Sequence, residues 1–147
     1  MKIYIGADHA GFRLKDKLKI YLQKLKHNVV DLGNSVYNKN DDYPLFSGKV
    51  ARAVAKNNNY SGILICGSGQ GVCIAANKIR NVRAILAENT TDARLARNDD
   101  DANVLCLQGR YITDGKAKSI VKTFLGTKFG KAKRYKRRLD EIKALER

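Results

Sequence analysis

The chain has 147 residues, 44% hydrophobic and 29% charged, with 29 Lys and Arg against 14 Asp and Glu for a formal charge of +15. This is enough chain for a single domain spanning 1–147 with a sizeable core, and the composition excludes global disorder. No apolar run approaches the ~18 residues of a membrane span, which excludes an integral membrane protein.

The opening Met1-Lys2-Ile3-Tyr4-Ile5-Gly6-Ala7-Asp8 turns polar too early for a secretory signal. Ile3-Tyr4-Ile5 reads as a first strand, closed by Gly6-Ala7-Asp8. Leu14, Leu18, Tyr21, Leu22 and Leu25 then recur on one helical face. Val29-Val30-Asp31-Leu32-Gly33 is a second strand, and residues 34–43 form a polar loop. Pro44, the only proline, suits the first turn of a helix running to about residue 56. Gly62-Ile63-Leu64-Ile65-Cys66 is apolar at nearly every position, as in a strand covered on both faces. Helices are expected near 72–79, 91–98 and 114–125, with strands at 82–86 and 104–107 and a last basic helix near 133–145. This alternation predicts βαβ units: an α/β fold, a five-stranded parallel sheet in a three-layer sandwich.

Three cysteines, Cys66, Cys73 and Cys106, are too few and too irregular for a disulfide framework or a zinc site, so no metal and a reducing, cytoplasmic setting are expected. The basic excess is concentrated in residues 116–147, which hold 12 Lys and Arg and 3 acidic residues. Such a tail suits nucleic acid, a solvated helix face or a phosphate surface. It lacks the aromatic pattern that stacks on bases, so a nucleic-acid partner is disfavoured.

In an open parallel sheet, ligands bind at the carboxyl ends of the strands. The first of those ends carries Asp8 and His9; alone, His9 is as well explained by a bond to its own loop. Gly67-Ser68-Gly69-Gln70-Gly71 follows the central strand, and its glycines let backbone N–H groups approach an anion, unless it is a tight turn without a ligand. Cys66 stands directly before it, where a thiol is either an activated base or a small buried hydrophobe. Cys73 and Cys106 fall inside elements and read as structural, and His27 reads as a surface residue. Arg110 closes the last strand, and Arg134 and Arg138, spaced i, i+4, place two guanidinium groups on one helix face.

Six segments in order carry a resemblance over essentially the whole chain. They are Gly6-Ala7-Asp8-His9-Ala10-Gly11, Asp42-Tyr43-Pro44, Ile65-Cys66-Gly67-Ser68-Gly69-Gln70-Gly71, Ile74-Ala75-Ala76-Asn77-Lys78, Val82-Arg83-Ala84 and Ala102-Asn103-Val104-Leu105. Together they resemble the ribose-5-phosphate isomerase B family, which includes galactose-6-phosphate and allose-6-phosphate isomerases. The resemblance implies a Rossmann-like fold, no cofactor, and aldose–ketose isomerisation of a sugar phosphate through a cis-enediolate. It also implies a homodimer or homotetramer with a shared active site. Cys66 would be the base, because Val72 stands where other members carry a glutamate. The 67–71 loop would cradle the enediolate, with Asp8 and Tyr43 lining the sugar. His9, Arg110, Arg134 and Arg138 would surround the phosphate, Arg110 reaching across the dimer interface.

One departure bears on the chemistry. The family usually has His-Asn before the Ala102 segment, and that histidine opens the furanose ring; here Asp99 and Asp100 stand there. Asp99 would inherit this role only if protonated, which requires burial or the like charge of Asp100 to raise its pKa. In the tail, Lys131-Ala132-Lys133-Arg134-Tyr135 stands where Gly-Gly-Arg-His is common, with about one residue inserted. Three readings follow: a pentose-phosphate isomerase, an isomerase of another phosphosugar, and a non-catalytic phosphosugar binder or basic nucleic-acid-associated protein.

Overall fold

The computed structural model describes residues 1–146, and in it five strands pair into one parallel sheet. They are β1 (Lys2–Ala7), β2 (Asn28–Asp31), β3 (Tyr60–Cys66), β4 (Ala84–Leu86) and β5 (Val104–Gln108), in the spatial order β2-β1-β3-β5-β4. The helices between and after them are α1 (Phe12–Lys24), α2 (Tyr43–Val54), α3 (Gln70–Ala76), α4 (Thr90–Asp100), α5 (Asp114–Gly126) and α6 (Lys133–Ala144).

The apolar run of β3 is continuous because both its faces are covered. Ile63 and Ile65 point into a core with Leu14, Leu18 and Leu22 of α1 and Ile120, Val121 and Phe124 of α5. Leu64 and Cys66 point the other way, against Val50 and Val54 of α2 and Val72 and Ala76 of α3. The result is the three-layer sandwich read from the alternation, with the Rossmann-like fold that the resemblance implies. Pro44 lies in the first turn of α2, and side chains of Asn89 and Thr113 cap α4 and α5.

Element boundaries fall within one to three residues of the sequence reading, and the largest shift is at the end of α3. The helix expected near 72–79 spans Gln70–Ala76, and the strand expected from residue 82 starts at Ala84. Asn77 links these two elements. Its side-chain amide donates to the Ala84 carbonyl at 2.8 Å and accepts from the Ala84 N–H at 2.8 Å, imitating a neighbouring strand. Asn103 meanwhile takes the Arg83 N–H on its side chain at 2.8 Å, while the Arg83 carbonyl accepts from the Asn103 and Val104 N–H groups at 3.0 and 3.3 Å, so Arg83 meets the start of β5 half through a side chain and half through backbone. His27 lies half-buried at the surface, where partial burial pushes its pKa down.

Strand order reverses between β1 and β3, so the connections leaving their carboxyl ends diverge and open a crevice between them. The loop after β1 crosses this point at close quarters. A Cβ on Gly11 would lie 2.6 Å from the Ile65 carbonyl oxygen and 2.7 Å from the Ile65 Cβ. Gly11→Ala is therefore expected to destabilise the fold by about 1–3 kcal/mol through overpacking. Urea denaturation measures this, and an unchanged midpoint would contradict the packing.

Candidate active site

Cys66 is the last residue of β3 and only 4% exposed. The chain must turn there to enter α3, and it does so through Gly69 with φ of +76°, a left-handed conformation that suits glycine. Gly71 serves a different purpose. A Cβ there would lie 2.4 Å from the Tyr43 ring, so its absence lets that ring pack against the start of α3. Ser47 ties α2 to the same region by donating to the Val72 carbonyl at 2.7 Å.

Around this turn lies a cavity of about 330 Å³ lined by Asp8, His9, Ala10, Tyr43, Cys66, Gly67, Ser68, Gly71, Arg110 and Tyr111. A larger one of about 560 Å³ lies between the α3–β4 connection and α6, but it is lined by none of the expected site residues except Asp100. The smaller cavity, at the strand ends, is the candidate site.

Each wall is fixed by backbone. The Gly109 N–H donates to the Cys66 carbonyl at 2.7 Å and the Arg110 N–H to the Gly67 carbonyl at 3.2 Å, which brings the Arg110 guanidinium over Gly67 of its own chain. Asp8 is buried and accepts from the Ala10 and Gly11 N–H groups at 3.0 and 3.2 Å. Burial pushes its carboxyl above the usual range, against those hydrogen bonds and the neighbouring His9. His9 is pushed up as well, chiefly by its hydrogen bond to Asp41, with burial opposing. The third thiol environment is apolar: burial drives Cys106 well above the ordinary thiol value, while half-buried Cys73 donates to the Ala84 carbonyl at 3.3 Å.

Of the residues expected from sequence, Asp8, His9, Tyr43, Cys66, Gly67, Ser68, Gly71 and Arg110 meet on this cavity. Gly69 is turned inward against Leu86 and Leu107, and Gln70 is exposed at the start of α3. Asp99 and Asp100 end α4, and Arg134 and Arg138 are exposed on α6; none of these four lines the cavity of its own chain. Tyr111 and Asp41 went unnoticed in the sequence. Asp41 and His9 are 32 positions apart, so nothing short of the fold joins them. Among the described residues, no cluster of three His, Cys, Asp or Glu is arranged to hold a metal ion.

Residues 3–142 match the family model described as Ribose/Galactose Isomerase. A relative from Mycoplasma genitalium named "Probable ribose-5-phosphate isomerase B" is 47% identical over 141 residues, covering 95% of this chain and 92% of that one. The solved structure of ribose-5-phosphate isomerase B from Mycoplasma genitalium with bound ribulose-5-phosphate has a TM-score of 0.95 at 46% identity, covering 99% of this chain and 95% of that one. The ribose 5-phosphate isomerase structure from Thermotoga maritima gives 0.93 at 42% identity, with 98% of each chain covered.

The protonated Asp99 that ring opening would demand is not what the fold provides. A hydrogen bond from Asn98 lowers its pKa first of all; slight burial opposes, and Tyr135, Arg134 and Arg94 add to the lowering. Asp100 is exposed and is not among the main causes of the shift. The carboxyl is thus held below the usual aspartate range and hydrogen-bonds Tyr135 of α6. Because the folded pKa is depressed, its contribution to stability is present above the unfolded value and lost as pH falls through the folded one. Carbon-13 NMR should show Asp99 titrating below the ~3.9 of a free aspartate; a midpoint above that value would restore the acid role.

Proposed function

The chain belongs to the ribose/galactose isomerase family, and we propose that it interconverts ribose 5-phosphate and ribulose 5-phosphate through a cis-enediolate with Cys66 as base. The observation that carries this reading is the placement of Cys66 at the floor of a cavity whose walls are a glycine loop, a buried carboxyl and two cationic side chains. The Cys66 thiolate takes the proton from C2 of the open-chain aldose. The C–H electron pair forms the C1–C2 double bond, and the carbonyl oxygen on C1 becomes an enediolate oxygen. Return of the proton from Cys66 to C1, with transfer of the C2 hydroxyl proton to the oxygen on C1, gives the ketose. Charge accumulates on oxygen, so prepositioned donors from the loop supply the main stabilisation. His9 and Arg110 take the phosphate, and Asp8 and Tyr43 line the sugar. Acid–base chemistry of this kind uses no cofactor.

With Asp99 ionised, the substrate is taken in its open-chain form. That supports keeping a second reading, an isomerase of another phosphosugar of the galactose 6-phosphate or allose 6-phosphate type. A panel of aldose phosphates assayed for ketose formation decides between them. The cytoplasm is the setting this reading implies.

We further propose a homodimer or homotetramer in which Arg134 and Arg138 complete a neighbouring subunit's site. Within its own chain α6 packs against α4 and has no buried residue, which leaves both arginines exposed.

Cys66→Ala is expected to cut kcat about 10²–10⁴-fold while sugar-phosphate binding persists; wild-type turnover would remove Cys66 from the base role. Mixing Cys66→Ala subunits with an Arg134→Ala, Arg138→Ala variant should restore about a quarter of wild-type activity in a twofold dimer with shared sites. No recovery after subunit exchange would place the arginines on their own chain's site or on none.

A further inference from the structure

His9 enters the cavity from the loop after β1, yet its ring is held from outside that loop. One oxygen of Asp41, Oδ1, accepts from the His9 backbone N–H at 2.8 Å and stands 2.9 Å from ring Nδ1. The other, Oδ2, accepts from the Asn34 side-chain amide at 2.9 Å. The Asp41 side chain is 6% exposed, whereas that of His9 is 27% exposed.

Asn34 is itself anchored. Its N–H donates to the Ala7 carbonyl at 3.1 Å, and its carbonyl accepts from Lys15, whose fully buried ammonium also pairs with Asp31 at 3.0 Å. The carboxylate of Asp41 is thereby tied to the ends of β1 and β2. A carboxylate accepts only, so Nδ1 carries the ring proton, and Nε2 is the ring atom left for the cavity.

We propose that Asp41 is a positioning residue for substrate capture: it fixes the His9 ring with Nδ1–H turned away from the cavity, so that the protonated ring presents Nε2–H to the phosphate. This rests on the reading of the cavity as a phosphosugar site.

A carboxylate that accepts from a histidine also favours the imidazolium, and this is the principal cause of the raised His9 pKa. Asp8 on the same loop acts in the same sense. Facing the ring across the cavity are Tyr43 from α2, Cys66 from β3, and Arg110 and Tyr111 from the connection after β5. Arg110 is the one like charge among them. In the neutral ring Nε2 carries no proton, so the phosphate contact exists only while His9 is charged. The second ionisation of a phosphate ester lies near ~6. KM should therefore be lowest between that value and the raised pKa of His9, and should climb as pH rises through the latter.

The test begins with ligand-free protein. The chain has two histidines, so ring NMR with His27→Gln assigns His9 directly. The neutral His9 ring of the wild type should be the Nδ1–H tautomer; the Nε2–H tautomer would overturn the proposal without any change at Asp41. In Asp41→Asn the His9 midpoint should fall by about one pH unit or more. KM for ribose 5-phosphate at neutral pH should rise about tenfold, as for loss of one charge-assisted contact, with kcat nearly unchanged. In a His9→Gln background, Asp41→Asn should add no further rise in KM. An unmoved His9 midpoint, or an equal KM effect with His9 absent, overturns the proposal. A lowered midpoint with unchanged KM supports the hold of Asp41 on the ring and instead overturns the assignment of His9 to the phosphate.

Discussion

Main-chain hydrogen bonds that continue past the strand ends govern everything built above the sheet. Ala7 N–H reaches the Gly33 carbonyl at 2.8 Å, Asp8 N–H the Ile65 carbonyl at 3.3 Å, and Gly109 N–H the Cys66 carbonyl at 2.7 Å. Residues outside regular structure thus inherit the register of the ladder beneath them. Four separate loops carry the chemistry, and loops are ordinarily the mobile part of such a fold. Here each is stitched to its neighbour by backbone, so the cavity walls are set before any ligand arrives.

The same architecture explains which features could be read from the chain alone. Everything local was legible: the apolar run ending at Cys66, the glycines after it, and Pro44 in a first helical turn. The glycine loop was legible because each glycine answers a nearby demand, a left-handed turn at Gly69 and the Tyr43 ring at Gly71. The Asp41–His9 pair was not, because its members lie in different loops and neither carries a periodic signal. Asp99 shows the complementary failure. Its sequence neighbour Asp100 invited an argument from like charge, but Asn98 and the spatially adjacent Tyr135 and Arg134 determine its ionisation.

The charge of the chain is also better understood once the elements are placed. Part of the basic excess is absorbed inside the fold: Lys15 and Lys19 share Asp31, and Arg83 and Arg97 share Asp101. Burial alone would push Asp31 up, but the hydrogen bonds from Lys19, the Gly33 N–H and Lys15 hold it below the usual carboxylate value. These pairs brace β2 and the end of α4. Six further cations, Lys133, Arg134, Lys136, Arg137, Arg138 and Lys143, are displayed on α6, which has no buried residue.

A last consequence follows from Asn77. Alternate residues of an edge strand turn their peptide groups outward, and on β4 those of Ala84 face away from β5. Bare outward peptide groups invite a foreign strand to dock and extend the sheet. With three residues in β4 and the Ala84 pair already satisfied by an amide side chain, little of that margin is open to such docking. At this edge of the sheet, strand-by-strand extension into a neighbouring copy is thereby opposed. For a strongly cationic chain rich in parallel strands, a single asparagine thus guards one of the two margins of the sheet against fibrillar growth.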